Sequence, residues 1–130
     1  DAVMLAGANG IGKSSLIRIL GGLLPPAAGT VERHARTALV DECHALDAHL
    51  PLARALGQWA AIDGTGTAGV HAAMDRLGIA HLAEVPPRYF STGQKKRAAL
   101  ARLIASDAPL WLLDEPANGL DRDGVALIEA

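Results

Sequence analysis

The sequence predicts an α/β fold, a parallel-sheet core that carries a helical subdomain in its middle. Three observations predict it. Short unbroken apolar runs lie near both ends, a glycine-rich loop leads from the first run into a helical repeat, and the central stretch places apolar residues at helical spacing. Ala2 to Ala6 (AVMLA) is the first run, the pattern of a strand buried on both faces of a parallel sheet. Gly7 to Gly12 forms the loop. Ser14 to Leu20 then repeats apolar residues at Leu16, Ile17 and Leu20 until Gly21 and Gly22 stop the helix. Pro25, Pro26 and Gly29 mark a turn into a strand-like piece around Val31, and Thr37 to Val40 (TALV) is a further short strand. Leu50 to Ile62 reads as a helix containing Trp59, Gly64 to Gly69 (GTGTAG) as a loop, and Val70, Met74 and Leu77 as the apolar face of another helix. Pro86 and Pro87 close this middle. A helix opening at Ser91 follows, then Pro109 to Leu113 (PLWLL), a second buried-strand signal.

At 130 residues, half of them apolar, the chain is about one domain long and can bury a real core. The expected division is a single partial domain over 1–130, with its core at about 1–41 and 106–130 and the helical subdomain at about 42–105. The chain opens at Asp1 directly on a strand-like run and is still helix-like at Ala130, which predicts a fragment lacking both ends. A net charge of −2 argues against a nucleic-acid binder that works by bulk charge, so no direct nucleic-acid partner is expected and any polyanion must be held locally. Cys43 is the only cysteine, which excludes an internal disulfide and a thiolate metal cluster and fits a reducing compartment. The longest apolar stretches are cut by Asp107, Pro109 and Asp114, and no charged-then-apolar leader opens the chain, so membrane insertion and secretion are unsupported.

Three stretches carry chemistry. Gly7-Ala8-Asn9-Gly10-Ile11-Gly12-Lys13-Ser14 fits G-x-x-x-x-G-K-[ST], the phosphate-binding loop. Glycines let the backbone curl so that successive N–H groups point at phosphate oxygens, Lys13 reaches the β and γ phosphates, and the Ser14 hydroxyl ligates Mg²⁺. The bland alternative is an ordinary glycine-rich turn, which the strand before and the helix after disfavour. Leu110-Trp111-Leu112-Leu113-Asp114-Glu115-Pro116 is an apolar strand ending in two carboxylates, at the place where open parallel sheets hold ligands. Asp114 suits Mg²⁺ or its water shell, and Glu115 suits the general base that polarises an attacking water. Two solvated loop acids are the alternative, weakened by the loop beside them. In "FSTGQKKRAALAR", Ser91 and Gln94 stand at the spacing of a capping box, and the helix N-terminus they open is also a place for a phosphate.

The phosphate loop, then FSTGQ opening a helix, then LLDEP, then Asn118-Gly119-Leu120-Asp121 is an order that resembles the ATPase domains of ABC proteins. The family signature is usually written LSGGQ. Ser91, Gly93 and Gln94 match it, with Phe90 in first place and Thr92 in third. "GKSSLIRILGGLLPPAAGTV", "HLPLARALGQWA" and "FSTGQKKRAALARLIASDAPLWLLDEPANGLD" further look like the ATP-binding subunits of the haem exporters of cytochrome c maturation, over nearly the whole chain.

The resemblance implies a P-loop NTPase with a RecA-like core and a helical signature subdomain. It implies ATP and Mg²⁺ as cofactors, with Gly7, Asn9, Gly10, Gly12, Lys13, Ser14 and Ser15 on ATP, Ser14 and Asp114 on the metal, and Lys13 and Glu115 in catalysis. A second ATPase subunit would pack head to tail, so that Ser91, Thr92, Gly93 and Gln94 meet the partner's ATP while Asp121 lies in the loop that crosses the interface. The implied partners are transmembrane subunits, at the cytoplasmic face of the inner membrane. The alternatives are the ATPase subunit of another ABC transporter, a soluble ABC-type ATPase acting on nucleic acid or ribosomes, and a P-loop kinase, which would need an acceptor site and a lid in place of the signature helix.

Departures from the family pattern matter. After TALV the family places a glutamine, where this chain has Val40-Asp41-Glu42-Cys43-His44-Ala45, and Gln58 lies too far on. The adenine-stacking aromatic normally precedes the first strand, and the switch histidine follows the next strand beyond Ala130; His34, His44, His49, His71 and His81 all come too early. The 130 residues alone are therefore expected to hydrolyse ATP weakly or not at all. Gly64, Gly66 and Gly69 satisfy GxGxxG but lack a preceding buried strand, so a surface loop is expected. Asp121-Arg122-Asp123-Gly124 lacks the glycine position and final glutamate of a calcium loop, and the contiguous Asp41, Glu42, Cys43 and His44 make a poor metal set. Lys95, Lys96 and Arg97 read as a solvated helix face, and Trp59 and Trp111 as packing residues.

Overall fold

The computed structural model describes residues 3–41, 45–116, 118, 122 and 126. In chain order the elements are α1 (Lys13–Leu20), β1 (Thr37–Val40), α2 (Leu52–Asp63), α3 (Thr67–Arg76), α4 (Thr92–Ala105) and β2 (Leu110–Leu113), with short 3₁₀ turns at Ala80–Leu82 and Pro87–Tyr89. β1 and β2 pair in parallel, Thr37 opposite Leu110 and Val40 opposite Leu113. The Asp114 N–H extends the ladder by donating to the Val40 carbonyl at 2.9 Å. No helix among the described residues is long and apolar enough to cross a membrane.

The two faces of this sheet meet different neighbours. Ala38 and Val40 are buried in one core with α2, α3 and α4, whereas Leu39 and Leu112 face the end of α1, where a Cβ on Gly21 would lie 3.6 Å from each. The largest fully buried side chains are Leu52, Leu56, Val70, Met74, Leu77, Ile79 and Leu103, all from the helical middle. Each contributes about 1.5–3 kcal/mol by burial. α4 adds Ala98, Ala99, Ala101 and Ala105, small side chains that let α3 and β1 come close.

Arginines brace the ends of these helices. Arg33 donates to the Ile19 and Leu20 carbonyls at the end of α1, both at 2.8 Å, and Arg97 donates to the Leu77 carbonyl after α3 at 3.0 Å. Arg36 joins the Asp63 carbonyl at the end of α2 to the Asp107 carbonyl after α4. A guanidinium there supplies donors to the carbonyls a helix end leaves over and complements the negative end of its dipole. Arg102 lies 3.8 Å over the Trp59 ring and donates to the Leu39 carbonyl. Its pKa is lowered by burial, against the opposing pull of Asp63 and Asp41.

Several expectations fail. Residues 3–6 form no strand, with Val3 98% and Met4 89% exposed, and the piece around Val31 forms none either. An apolar run becomes a strand only where a ladder partner exists, and among the described residues these have none. β2 does form but is not buried on both faces: its pattern runs from exposed to half-buried, and Trp111, expected to pack in the core or at an interface, is 42% exposed and so is not in the core. It has one neighbouring strand among the described residues. The Gly64 to Gly69 loop is shorter than expected, since Gly66 is the N-cap of α3 and Gly69 lies inside it. Trp59 does pack, donating from Nε1 to the Ala45 carbonyl at 2.9 Å. Ala2, the Glu42, Cys43 and His44 segment, residues 119–121 with Asp121, and the helix expected at Ala130 fall outside the described residues.

Candidate functional site

The glycine-rich stretch Gly7–Gly12 lies exposed and leads directly into α1. Gly10 (φ +79°) and Gly12 (φ +106°) take left-handed backbone conformations that side chains with a Cβ rarely adopt, and a Cβ built on either meets no atom within 4 Å. The cradle is therefore open where a Cβ would fill it. Gly12 is also the N-cap of α1, which has no side-chain cap. The first-turn N–H groups of a helix have no carbonyl to bond within it, so Lys13, Ser14 and Ser15 begin a helix whose first donors lie beside the exposed glycine-rich loop. Lys13 Nζ donates to the Gly7 carbonyl at 2.7 Å and the Ala8 carbonyl at 2.9 Å, which holds its ammonium across the mouth of the same loop.

The two carboxylates differ. Asp114 is 6% exposed, and among the described residues its carboxylate takes part in no hydrogen bond or ion pair. A buried carboxylate without a partner is a strongly unfavourable arrangement that a cation relieves, so Asp114 at this end of β2 could hold a divalent cation such as Mg²⁺. Glu115 is exposed and stands at φ +49°, unusual for a residue with a Cβ. Asn118 donates from Nδ2 to Glu115 Oε2 at 3.1 Å. No hydrogen bond or ion pair among the described residues joins Lys13 or Ser14 to Asp114 or Glu115.

At the third stretch the expected capping box is present in full. Ser91 Oγ accepts from the Gln94 N–H at 3.2 Å, and Gln94 Oε1 accepts from the Ser91 N–H at 2.9 Å. Ser91 and Thr92 are exposed and Gly93 and Gln94 half-buried, while Phe90, just before them, is buried in the helical core. The expected solvated face at Lys95, Lys96 and Arg97 is overturned. Lys96 is 5% exposed and donates to the Glu115 carbonyl at 2.8 Å, and Arg97 reaches the Leu77 carbonyl. The signal was in the spacing: Lys96, Leu100 and Leu103 stand at i, i+4 and i+7, one buried stripe of α4.

A cavity of about 380 Å³ lies elsewhere, between the end of α1 and the helical middle, lined in part by Leu23, Leu39, Asp41, Leu46, Trp59 and Arg102. It includes no residue of the glycine-rich loop and neither carboxylate at the end of β2.

The model of the ABC transporter family matches residues 1–118. The cytochrome c biogenesis ATP-binding export protein CcmA of Sphingopyxis alaskensis is 55% identical over all of this chain and 67% of its own length. That of Novosphingobium aromaticivorans is 63% identical over 93% of this chain and 61% of its own length, and that of Zymomonas mobilis 56% identical over 99% and 58%. The chain thus spans about three fifths to two thirds of these relatives. Among solved structures, the RNase-L Inhibitor superposes with a TM-score of 0.75 at 27% identity, over 92% of this chain and 23% of that one. A metal-chelate type ABC transporter in an inward-facing conformation gives 0.72 at 26% identity, over 94% and 52%. On a family model that covers most of its length and relatives this similar, the chain belongs to the ABC transporter family, with the cytochrome c biogenesis ATP-binding export proteins as its kin.

Proposed function

We propose that the intact protein binds and hydrolyses ATP as the ATP-binding subunit of an exporter serving cytochrome c biogenesis, with haem as the exported species. The observation that carries this is the uncapped N-terminus of α1, set behind an open glycine cradle with Lys13 across its mouth. Gly7, Asn9, Gly10, Gly12 and Ser15 shape the loop around the triphosphate with their backbones, and Lys13 moves its ammonium from the loop carbonyls to the phosphates. Ser14 and Asp114 hold Mg²⁺, which when bound neutralises charge on the β and γ phosphates. Glu115 orients the water for in-line attack and accepts its proton. Phosphoryl transfer asks little covalent chemistry of a protein, so positioning and charge carry the rate.

The division into a core at about 1–41 and 106–130 and a helical part at about 42–105 belongs to the same reading, and so does a head-to-tail dimer. In it Ser91, Thr92, Gly93 and Gln94 of one subunit cover the ATP of the other, and Asp121 lies in the crossing loop. Transmembrane subunits would anchor the pair at the cytoplasmic face of the inner membrane. Replacing Glu115 by Gln in the full-length protein tests the mechanism: ATP and Mg²⁺ should trap a dimer in size-exclusion chromatography. A variant that stays monomeric sinks the sandwich. Co-purification with membrane subunits of cytochrome c maturation tests the assignment, and recovery with ribosomes or without any membrane partner favours a soluble ABC-type ATPase instead.

A further inference from the structure

We propose that Lys96 is a positioning residue for hydrolysis: from inside α4 it holds the peptide of Glu115 and so fixes the direction in which Glu115 presents its carboxylate. The inference rests on the reading of Glu115 as the group that orients water. Three features support it. Lys96 is buried, and its Nζ reaches across 19 residues of sequence to the Glu115 carbonyl at 2.8 Å. That carbonyl also accepts from the Asn118 N–H at 3.1 Å, so both of its lone pairs are used. Glu115 itself stands at φ +49°, a conformation that a residue with a Cβ keeps only where its surroundings enforce it.

The chemistry explains why a lysine and not an apolar side chain stands on this stripe. Removing an ammonium from water is costly, and among the described residues the carbonyl of Glu115 is the acceptor of its hydrogen bond. A charge-assisted hydrogen bond to a peptide oxygen is shorter and stronger than a neutral one, and it resists rotation of that peptide. Rotating the Glu115 peptide turns its Cα–Cβ bond, and with it the carboxylate that Asn118 Nδ2 holds at 3.1 Å. Lys96 thus controls the backbone side of Glu115 and Asn118 the carboxylate side. Lys96 touches neither water nor phosphate on this account, so its effect falls on turnover and leaves nucleotide binding alone.

The test uses the full-length protein with Lys96→Met, which keeps the length and packing of the side chain and removes the donor, and Lys96→Arg, which restores a cationic donor. Lys96→Met should lower kcat by about 100-fold, the scale of an ångström-sized misplacement, with KM changed less than about twofold, the pattern of an interaction felt in the transition state alone. Hydrogen exchange at the Asn118 amide should quicken while Leu100 and Leu103 in α4 stay protected, and Lys96→Arg should recover most of both effects. Wild-type kcat with unchanged Asn118 exchange overturns the proposal. So does a parallel loss of kcat, KM and melting temperature that Lys96→Arg does not rescue, since that marks plain packing. If Lys96→Met does not fold, Lys96→Gln, whose shorter arm falls short of the carbonyl, gives the same split. The exchange readout needs no nucleotide: a wild-type protein without ATPase activity would remove the role of Glu115, while Asn118 exchange still decides whether Lys96 holds that peptide.

Discussion

Two helices of this chain begin in opposite ways. α1 starts behind Gly12 with no side-chain cap, whereas α4 starts behind Ser91 with both halves of a capping box made. Their bodies differ in the same sense. No residue of α1 is buried, and it is held from its far end, by Arg33 on the Ile19 and Leu20 carbonyls; α4 buries seven residues in the helical core. The capping box occupies the Ser91 and Gln94 N–H groups at the start of α4, so what that helix can offer an anion is the Thr92 and Gly93 N–H groups and side-chain donors. The hydroxyl of Ser91 is one of these, because accepting from Gln94 N–H leaves its own proton free. A helix that begins on glycine keeps its amides for a ligand. On the proposed function, the difference suits α1 to the primary hold on a phosphate and α4 to a lighter contact from another subunit.

The largest test of that contrast is Lys13→Ala. Among the described residues Lys13 bonds only to carbonyls of its own exposed loop, so the substitution should leave the melting temperature nearly unchanged. It should nonetheless cost about 100- to 1,000-fold in ATP turnover, the scale of removing one preorganised donor from a transition state. Turnover and fluorescent-nucleotide binding measured beside a thermal melt separate the two. A variant that loses stability and activity together would make the lysine a structural clasp, and α1 would then differ from α4 only in its choice of cap.

What the sequence reveals follows how local each signal is. The capping box is legible because its two partners are three residues apart, and the helices because a 3.6-residue repeat needs no distant partner. The phosphate loop is legible for the same reason, its glycines, lysine and serine being contiguous. Strands are the weak point. Residues 3–6 and the piece around Val31 have the composition of strands, yet pairing depends on segments far away in sequence, and among the described residues only Thr37–Val40 and Leu110–Leu113 find each other. The run Lys95-Lys96-Arg97 misleads in another way: charge suggests solvent, while position on α4 puts the middle residue on the apolar stripe. Phe90 is the converse, an apolar residue at the head of a polar motif whose burial anchors the start of α4.

Next in size is Ser91→Ala, which acts on the capped helix where Lys13→Ala acts on the uncapped one. Loss of an N-cap side chain costs about 1 kcal/mol, so thermal or denaturant unfolding should register it. Ser91→Thr, which keeps a cap oxygen, should restore most of that loss. Nucleotide binding by a single subunit should be unchanged in both, because in the proposed head-to-tail dimer α4 serves another subunit's site. Weakened ATP binding by a monomer would place Ser91 in its own chain's site and erase the distinction between the helices.

The smallest effect belongs to Thr92, the first residue of α4, exposed beside the cap where the family pattern has glycine. Two consequences of Thr92→Gly oppose one another. Glycine is the poorer helix former, which lowers stability by at most about 0.5 kcal/mol. It also removes a β-branched side chain from the surface that, in the proposed dimer, approaches the partner's phosphates, which would ease closure. Because the cap atoms come from Ser91 and Gln94, neither consequence disturbs the capping box. The full-length variant should therefore melt slightly earlier but dimerise with ATP at a modestly lower protein concentration. Unchanged ATPase rate and unchanged ATP-driven dimerisation would discard the steric role of Thr92. In the proposed dimer the capped helix would then meet its partner through Ser91 and the two N–H groups that its cap leaves over, fewer donors than the uncapped start of α1 presents.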